Sequence, residues 1–248
     1  LLSKDTWGVL DYIIDAPNPN KELSLSINSN LGVPDVLIDY LIQRIQRIED
    51  DDRVKEFIVY TSVDTWGSQA EYIRNGLEFN KFWDNLHKIL SNCSRINLTF
   101  MSTYNALSVP NYEKLIEGIY DLKKEYGSSD RYWPSATFLD SSYLRHPTHQ
   151  TVQILPEMWD INIFKQAQLV DFLGVPLFQN DYIGYSDVEI QKIKRIYDWK
   201  ISSWPDKEKH LKEYRYNFGK FFQEHDKRRN TNFCKVFPEL EDFYRKCL

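Results

Sequence analysis

Four short stretches rich in apolar residues lie between segments in which apolar residues recur every three or four positions. We expect the short stretches to be β-strands, and they cover residues 23–27, 57–61, 96–102 and 136–140. The periodic segments predict helices over residues 4–14, 33–45, 68–90 and 112–126, the first with Ser3 as its N-cap. Parallel strands need long crossover connections, and helices of this length provide them. The pattern therefore predicts an α/β fold with a parallel sheet.

The pattern changes after residue 155, because only helical periodicities follow. This last third of the chain is rich in Tyr, Phe and Trp, and we expect these rings to pack against the α/β unit. A chain of 248 residues is long enough for one large domain or for a domain with an appendage. We therefore divide it into an α/β unit over residues 1–155 and a mostly helical extension over residues 156–248.

Composition excludes several classes of partner. The net charge is −5 and both signs are interspersed, which argues against a surface for nucleic acid or an anionic membrane. No run approaches the roughly 18 apolar residues of a membrane span, and the start of the chain lacks the regions of a signal peptide. We therefore expect a cytoplasmic protein without membrane contact. Neither GxGxxG nor GxxxxGK[ST] follows a predicted strand, so nothing supports a Rossmann or P-loop nucleotide site.

The cysteines form no recognised metal-binding pattern. Their number is odd and they are scattered, which suits reduced thiols better than a disulfide framework; they are Cys93, Cys234 and Cys247. The last two lie downstream of His210 and His225 but contain no CxxC pair. We interpret them as structural thiols and assign no metal to them.

Polar side chains follow all four predicted strands at their carboxyl ends, where parallel α/β sheets bind ligands. They are Asn28, Ser29 and Asn30; Ser62 and Asp64; Ser102, Thr103 and Asn105; and Asp140, Ser141, Ser142, Arg145 and His146. Each residue also has a purely structural interpretation. The asparagines can form turns, Asp64 can cap the next helix, and Arg74 in that helix can pair with Glu71 or Glu78. Their recurrence at one end of successive strands favours a site.

The chemistry of these side chains suggests a ligand. Ser62 and Asp64 are two positions apart on an extended segment, so both point to the same face and can hydrogen-bond to the diol of a ribose. The planar guanidinium of Arg74 suits bidentate binding of a carboxylate. Together they predict a ligand that carries both a ribose and an amino-acid carboxylate.

The run TSVDTWGSQAEYIRNGLEFNKFWDNL, residues 61–86, resembles the fourth strand and helix of radical S-adenosylmethionine enzymes. The neighbouring segments agree in order: LSINSNLG resembles the third-strand segment of that family, LTFMSTYNALSV the fifth and TFLDSSYLRHP the sixth. The resemblance covers residues 1–156. The remaining residues resemble the extension of radical enzymes that carry a twitch domain.

The resemblance implies an open (β/α)6 partial TIM-like barrel, of which strands 3–6 are present here. It implies that Ser62 and Asp64 contact the ribose of S-adenosylmethionine and that Arg74 contacts its carboxylate. Asn28, Asn30 and Asn105 would line the same cavity, and candidates for substrate contact are Asp140, Arg145 and His146. The complete enzyme would use a 4Fe-4S cluster, reduced by a flavodoxin or ferredoxin, to make a deoxyadenosyl radical. That radical would abstract hydrogen from an unknown small-molecule or peptide substrate.

One departure from the family pattern concerns the cluster itself. The family holds its cluster through CxxxCxxC and the methionine amine near GGEP, and neither motif is present. Since LLSKDTWGVLDYII resembles the family segment directly after GGEP, we expect a fragment that lacks the first two strands, has its cluster ligands upstream of residue 1, and is inactive as given. Such a fragment would expose an unpaired sheet edge.

Two other functions remain open from the residues alone. The first is a barrel enzyme without radical chemistry, in which Asp64 or Asp140 acts as acid or base on a sugar or nucleotide. The second is a non-catalytic binding or scaffolding domain.

Overall fold

A four-stranded parallel sheet forms the centre of the computed structural model, which describes residues 3–128, 134–174, 183–203 and 207–248. The strands lie in the order in which they occur in the chain. They are β1 (Asn20–Asn28), β2 (Val54–Ser62), β3 (Ile96–Tyr104) and β4 (Thr137–Tyr143). Each pair of neighbours is parallel, as predicted, and every strand occupies a predicted stretch. The α/β class is therefore confirmed.

Helices connect the strands and make up most of the extension. In the α/β unit they are α1 (Lys4–Asp15), α2 (Asp35–Asp50), α3 (Gly67–Ile73), α4 (Phe79–Asn92) and α5 (Tyr112–Tyr126). In the extension they are α6 (Asp160–Phe172), α7 (Asp187–Ile201), α8 (Lys207–Arg229), α9 (Phe233–Val236) and α10 (Glu241–Cys247). The predicted cap of α1 is confirmed, because the Ser3 side chain accepts from the Asp5 amide. No helix in the described part of the chain is long and apolar enough to cross a membrane.

The two faces of the sheet differ in polarity. One face contributes buried apolar side chains such as Phe57, Val59, Leu98 and Phe100 to a core shared with α2, α4 and α5. The opposite face carries alternating polar residues, and several are exposed or half-buried: Ser24, Ser26, Asn28, Tyr60, Ser62, Thr103 and Ser142. Parallel sheets are usually apolar on both faces because helices cover both. A polar second face therefore distinguishes this sheet from an ordinary two-sided α/β sheet.

The predicted helix over residues 68–90 is wrong as a single element, because two helices with a break between them occupy this segment. Arg74 ends α3 in an extended conformation, with φ −112° and ψ 92°. Gly76 then adopts φ 86°, in a region that favours glycine. The Glu71 carboxylate accepts from the Phe79 amide at 2.8 Å and so satisfies the first turn of α4. Arg74 is consequently a helix terminus, not a residue early in a long helix.

The extension packs onto the α/β unit. Helix α7 lies against β4, where the Glu189 carboxylate accepts from the Leu139 amide at 2.7 Å. Rings of α8 and of the last residues surround Tyr72 of α3; the ring centroid of Phe237 lies 5.3 Å from that of Tyr72, and Phe222 lies 6.1 Å away. The expectation that the aromatic residues pack rather than remain exposed is confirmed for Phe218 and Phe222, and it is wrong for Tyr216 and Phe221 of the same helix, which are exposed. Trp204, which the sequence also suggests as a packing residue, lies outside the described residues.

Candidate functional site

The carboxyl ends of the strands bring several predicted residues to one edge of the sheet. In the register of β2, β3 and β4, Ser62 pairs with Met101, and Met101 pairs with Asp140. These three side chains lie in one row on the polar face, and two strand spacings place Ser62 and Asp140 roughly 10 Å apart. The site therefore has two halves, one around β2 and β3 and the other around β4.

Asp64 and Arg74 meet directly in the first half. Asp64 is buried, and its Oδ1 accepts from Arg74 Nη2 at 3.1 Å and from the Thr103 amide at 2.8 Å. Arg74 Nε lies 2.9 Å from Asp64 Oδ2, which completes a two-pronged ion pair. The alternatives considered from sequence, a helix cap for Asp64 and a pairing of Arg74 with Glu71 or Glu78, are wrong. The carboxylate instead holds the arginine and ties the end of β3 to the end of β2.

The Thr103 contact explains why a carboxylate follows β2. The last main-chain bond between the two strands runs from the Val63 amide to the Met101 carbonyl. Beyond it the chain turns away into α3, and the next amide of β3 on this side would lack an acceptor. Asp64 supplies that acceptor from its side chain, which satisfies an otherwise unpaired main-chain donor.

Arg74 keeps hydrogen-bonding capacity for a ligand. About a third of its side chain is exposed, at 32%. A guanidinium has five N–H donors in a fixed plane, and among the described residues only Asp64 receives any of them. Asp64 fixes the orientation of that plane, so the remaining donors are presented in a defined direction next to the polar face.

The three predicted asparagines have different surroundings. Asn105 is buried and forms a local turn, with Oδ1 accepting from the Leu107 amide and Nδ2 donating to the Thr103 carbonyl, both at 2.9 Å. Asn30 accepts from the Gly32 amide at 3.3 Å, so the turn-forming interpretation holds for it as well. Asn28 is exposed at the end of β1, which has no second neighbouring strand among the described residues. Of the three, Asn28 is the one without such a turn-forming bond in the described structure.

The second half of the site is basic. Asp140 pairs with Lys192 of α7 at 2.6 Å. Arg145 donates to the Tyr143 hydroxyl at 2.9 Å, and its guanidinium lies over the rings of Tyr143 and Trp199. His146 is exposed and follows Arg145 in the same loop. Sequence reasoning missed Lys192, because a lysine in a charged helix has the pattern of an ordinary solvated residue.

Two cavities adjoin along the polar face and share Asp140. One of about 420 Å³ lies over the middle of the sheet and has a largely apolar lining that includes Ile58, Tyr60 and Phe138. The other, of about 340 Å³, lies at the carboxyl end of β4 and is lined by Asp140, Ser141, Ser142, Tyr143, Arg145, Lys192 and Arg195. The polar face thus provides space for a ligand beside β4, where Asp140 and Arg145 are predicted substrate contacts, whereas Ser62, Asp64 and Arg74 line neither cavity.

The cysteines do not provide a cluster site. Cys93 and Cys247 are buried, and Cys234 is half-buried. Among the residues that the structure describes, no three His, Cys, Asp or Glu side chains lie close enough together to hold a metal ion. The side chains present therefore do not fit a 4Fe-4S cluster, which needs several thiolates around one point.

Two of the thiols, those of Cys234 and Cys247, are expected to differ in their rate of alkylation. Burial raises the pKa of Cys234 and raises that of Cys247 to about 11, and only the thiolate reacts. With iodoacetamide at pH 8, Cys234 should react first because it is the more accessible. The alkylation rate of Cys247 should be lower by at least about tenfold. Peptide mass spectrometry over time measures both rates. Equal rates at the two positions would show that α10 does not protect Cys247 in solution.

Comparison with known proteins does not assign the chain to a family. Comparisons with protein-family models, with curated proteins and with solved structures give no match.

Proposed function

We propose that the carboxyl ends of β2 and β3 bind S-adenosylmethionine and that the chain provides the cosubstrate-binding region of a radical S-adenosylmethionine enzyme. The observation that carries the proposal is the guanidinium of Arg74, which Asp64 holds beside the polar face of a parallel sheet. A fixed guanidinium with unused donors suits a carboxylate, and the amino-acid end of S-adenosylmethionine carries one.

The ribose of the same molecule has suitable partners nearby. Ser62 is half-buried on the polar face, and its hydroxyl can donate and accept. A carboxylate offers about four acceptor positions, and Asp64 uses Oδ1 for two hydrogen bonds, whereas Oδ2 faces only Arg74 Nε. Oδ2 can therefore accept one more hydrogen bond from a ribose hydroxyl. In this arrangement Asp64 orients Arg74 and contacts the ligand at the same time.

The polar face also supports the architecture that we propose, an open (β/α)6 partial barrel of which these are strands 3–6. In such a barrel one sheet face packs on helices and the other lines a cavity. The alternation of buried apolar and accessible polar side chains along β2, β3 and β4 suits those two environments. The accessible edge of β1 suits pairing with a further strand.

This chain contributes binding and orientation. S-adenosylmethionine supplies a sulfonium and an adenosyl group when bound, as cofactors supply the difficult chemistry in general. Because the described side chains do not fit a 4Fe-4S cluster, we assign no step of radical formation to them.

Calorimetric titration of the full natural chain with S-adenosylmethionine tests the proposal. Arg74→Gln removes the charge but keeps a side chain of similar length, and we expect affinity to fall on the order of 10- to 100-fold. Arg47→Gln is the matched control, because Arg47 lies on α2 with 61% of its side chain exposed. Equal affinities of the Arg74 and Arg47 variants, or no binding by the unmodified protein, would contradict the proposal.

A further inference from the structure

The cavity at the carboxyl end of β4 has an excess of positive charge. Among the described residues, three cationic side chains line it, Arg145, Lys192 and Arg195, against one carboxylate, that of Asp140. The whole chain carries a net charge of −5, so this concentration of cations runs against the overall balance. Convergence of like charges is unfavourable unless an anion or a strong local partner offsets it.

The local partners offset only part of this charge. Lys192 Nζ lies 2.6 Å from Asp140 Oδ1, and this pair neutralises one cation. Arg195 Nε donates to the Gln191 carbonyl of its own helix at 3.3 Å, a contact that brings no negative charge. Arg145 contacts a neutral phenol and two rings. Among the described residues that line the cavity, no second carboxylate offsets the other two cations, Arg145 and Arg195.

Arg145 is also oriented in advance. The rings of Tyr143 and Trp199 stack at a centroid separation of 4.9 Å and an interplanar angle of 15°. The guanidinium carbon lies 5.2 Å from the first ring and 5.9 Å from the second, and Nη2 donates to the Tyr143 hydroxyl. These contacts reduce the conformational freedom that a flexible arginine loses on binding, which favours ligand affinity.

We propose that this cavity binds the phosphate or carboxylate group of a ligand whose apolar part lies in the adjoining cavity over Ile58, Tyr60 and Phe138. Arg145, Lys192 and Arg195 provide the charge, and the exposed Ser142 hydroxyl is available as a further donor. Guanidinium groups bind both anions through paired N–H donors. The shared Asp140 marks the boundary between the basic and the apolar parts.

The inference is independent of S-adenosylmethionine binding. Arg74 and Asp64 lie at the ends of β2 and β3 and line neither of these two cavities. Arg74→Gln should therefore leave anion binding at β4 unchanged. Conversely, a loss of S-adenosylmethionine affinity in Arg74→Gln would not support anion binding at β4, which has its own test.

The test uses phenyl phosphate, benzoate and inorganic phosphate as probes, titrated into the full natural chain by calorimetry at low ionic strength. We expect Arg195→Gln to weaken phenyl phosphate binding on the order of tenfold through loss of a charge-assisted contact. Lys192→Gln should weaken it more, because it removes a cation and leaves the Asp140 carboxylate facing the anion. Asp140→Asn should strengthen binding, because it removes the negative charge from the lining.

Lys194→Gln is the matched control, because Lys194 lies on the same helix and pairs with Asp171 away from the cavity. It should leave all affinities unchanged. If phenyl phosphate binds more tightly than inorganic phosphate, and Phe138→Ala removes the difference, the adjoining cavity binds the apolar part of the ligand. If benzoate binds more tightly than phenyl phosphate, the anionic group of the ligand is a carboxylate. The inference is overturned if no probe binds, or if Arg195→Gln and Lys194→Gln have the same affinity. It is also overturned if Asp140→Asn weakens binding.

Discussion

Lys123→Met is expected to lower the free energy of unfolding by about 3–5 kcal/mol, because it leaves a buried carboxylate without its cation. The side chains of Lys123 and Glu189 are 0% and 1% exposed, and Nζ lies 3.1 Å from Oε1. Burial lowers the pKa of Lys123, although Glu189 acts to raise it, so desolvation is the larger influence on the lysine. In the variant, the Glu189 carboxylate would be a buried charge without its counter-ion.

The other contacts of Lys123 and Glu189 explain why Lys123→Met should destabilise more than one element. Lys123 Nζ donates to the Thr137 carbonyl at 2.7 Å at the start of β4. Glu189 accepts from the Leu139 amide of the same strand and from the amide and hydroxyl of Ser186, which begins α7. The pair therefore joins α5, β4 and α7, and it fixes the extension to the sheet.

Urea denaturation measures the effect, and Lys124→Met is the matched control. Lys124 is adjacent in sequence but 51% exposed, and it pairs with Asp121 on the surface. Exposed pairs contribute about 0–1 kcal/mol, so the control should lose little. The double variant Lys123→Met with Glu189→Gln should regain part of the lost stability, because a neutral amide can still accept from the Leu139 amide. A loss in Lys123→Met no greater than in Lys124→Met would show that the pair is not buried in solution.

The sequence predicts the strands well, because each one is a short apolar stretch between long periodic segments. It does not predict the break at Gly76, since residues on both sides continue the apolar period and a single glycine is tolerated within a helix. That break moves Arg74 out of the helix, away from Glu71 and Glu78 and toward Asp64. The two residues that the sequence places together at a ligand therefore also bind each other.

Partners that are distant in sequence are harder to predict than periodic elements. Lys123 occupies a position in the buried stripe of α5, four residues after Ile119, which is a detectable signal that its side chain points inward. Ser186 and Glu189 have the spacing of a capping box, and the box is present. Neither signal identifies the other residue as a partner. The sequence likewise does not predict the basic cavity, because α7 brings Lys192 and Arg195 to β4 only through the tertiary fold.

Asp64→Ala is expected to lower S-adenosylmethionine affinity on the order of 100-fold, and to lower the free energy of unfolding by about 2–3 kcal/mol. Both effects follow from the position of the carboxylate. Its loss leaves the Thr103 amide without an acceptor at the end of β3 and leaves Arg74 without the partner that orients it. Glu78→Ala is the matched control, because Glu78 is an exposed carboxylate on the loop before α4. It should change neither quantity by a comparable amount.

Asp64→Asn separates the two roles of the residue. The amide oxygen of asparagine can still accept from the Thr103 amide, so most of the stability should return. The negative charge that holds Arg74 does not return, so the affinity for S-adenosylmethionine should remain low if the ion pair positions the arginine for a ligand carboxylate. Calorimetric titration and urea denaturation of the same three variants provide the comparison. If Asp64→Ala loses stability but binds S-adenosylmethionine as well as Glu78→Ala does, the carboxylate serves only to join β2 to β3, and the proposed ligand contact at this residue is wrong.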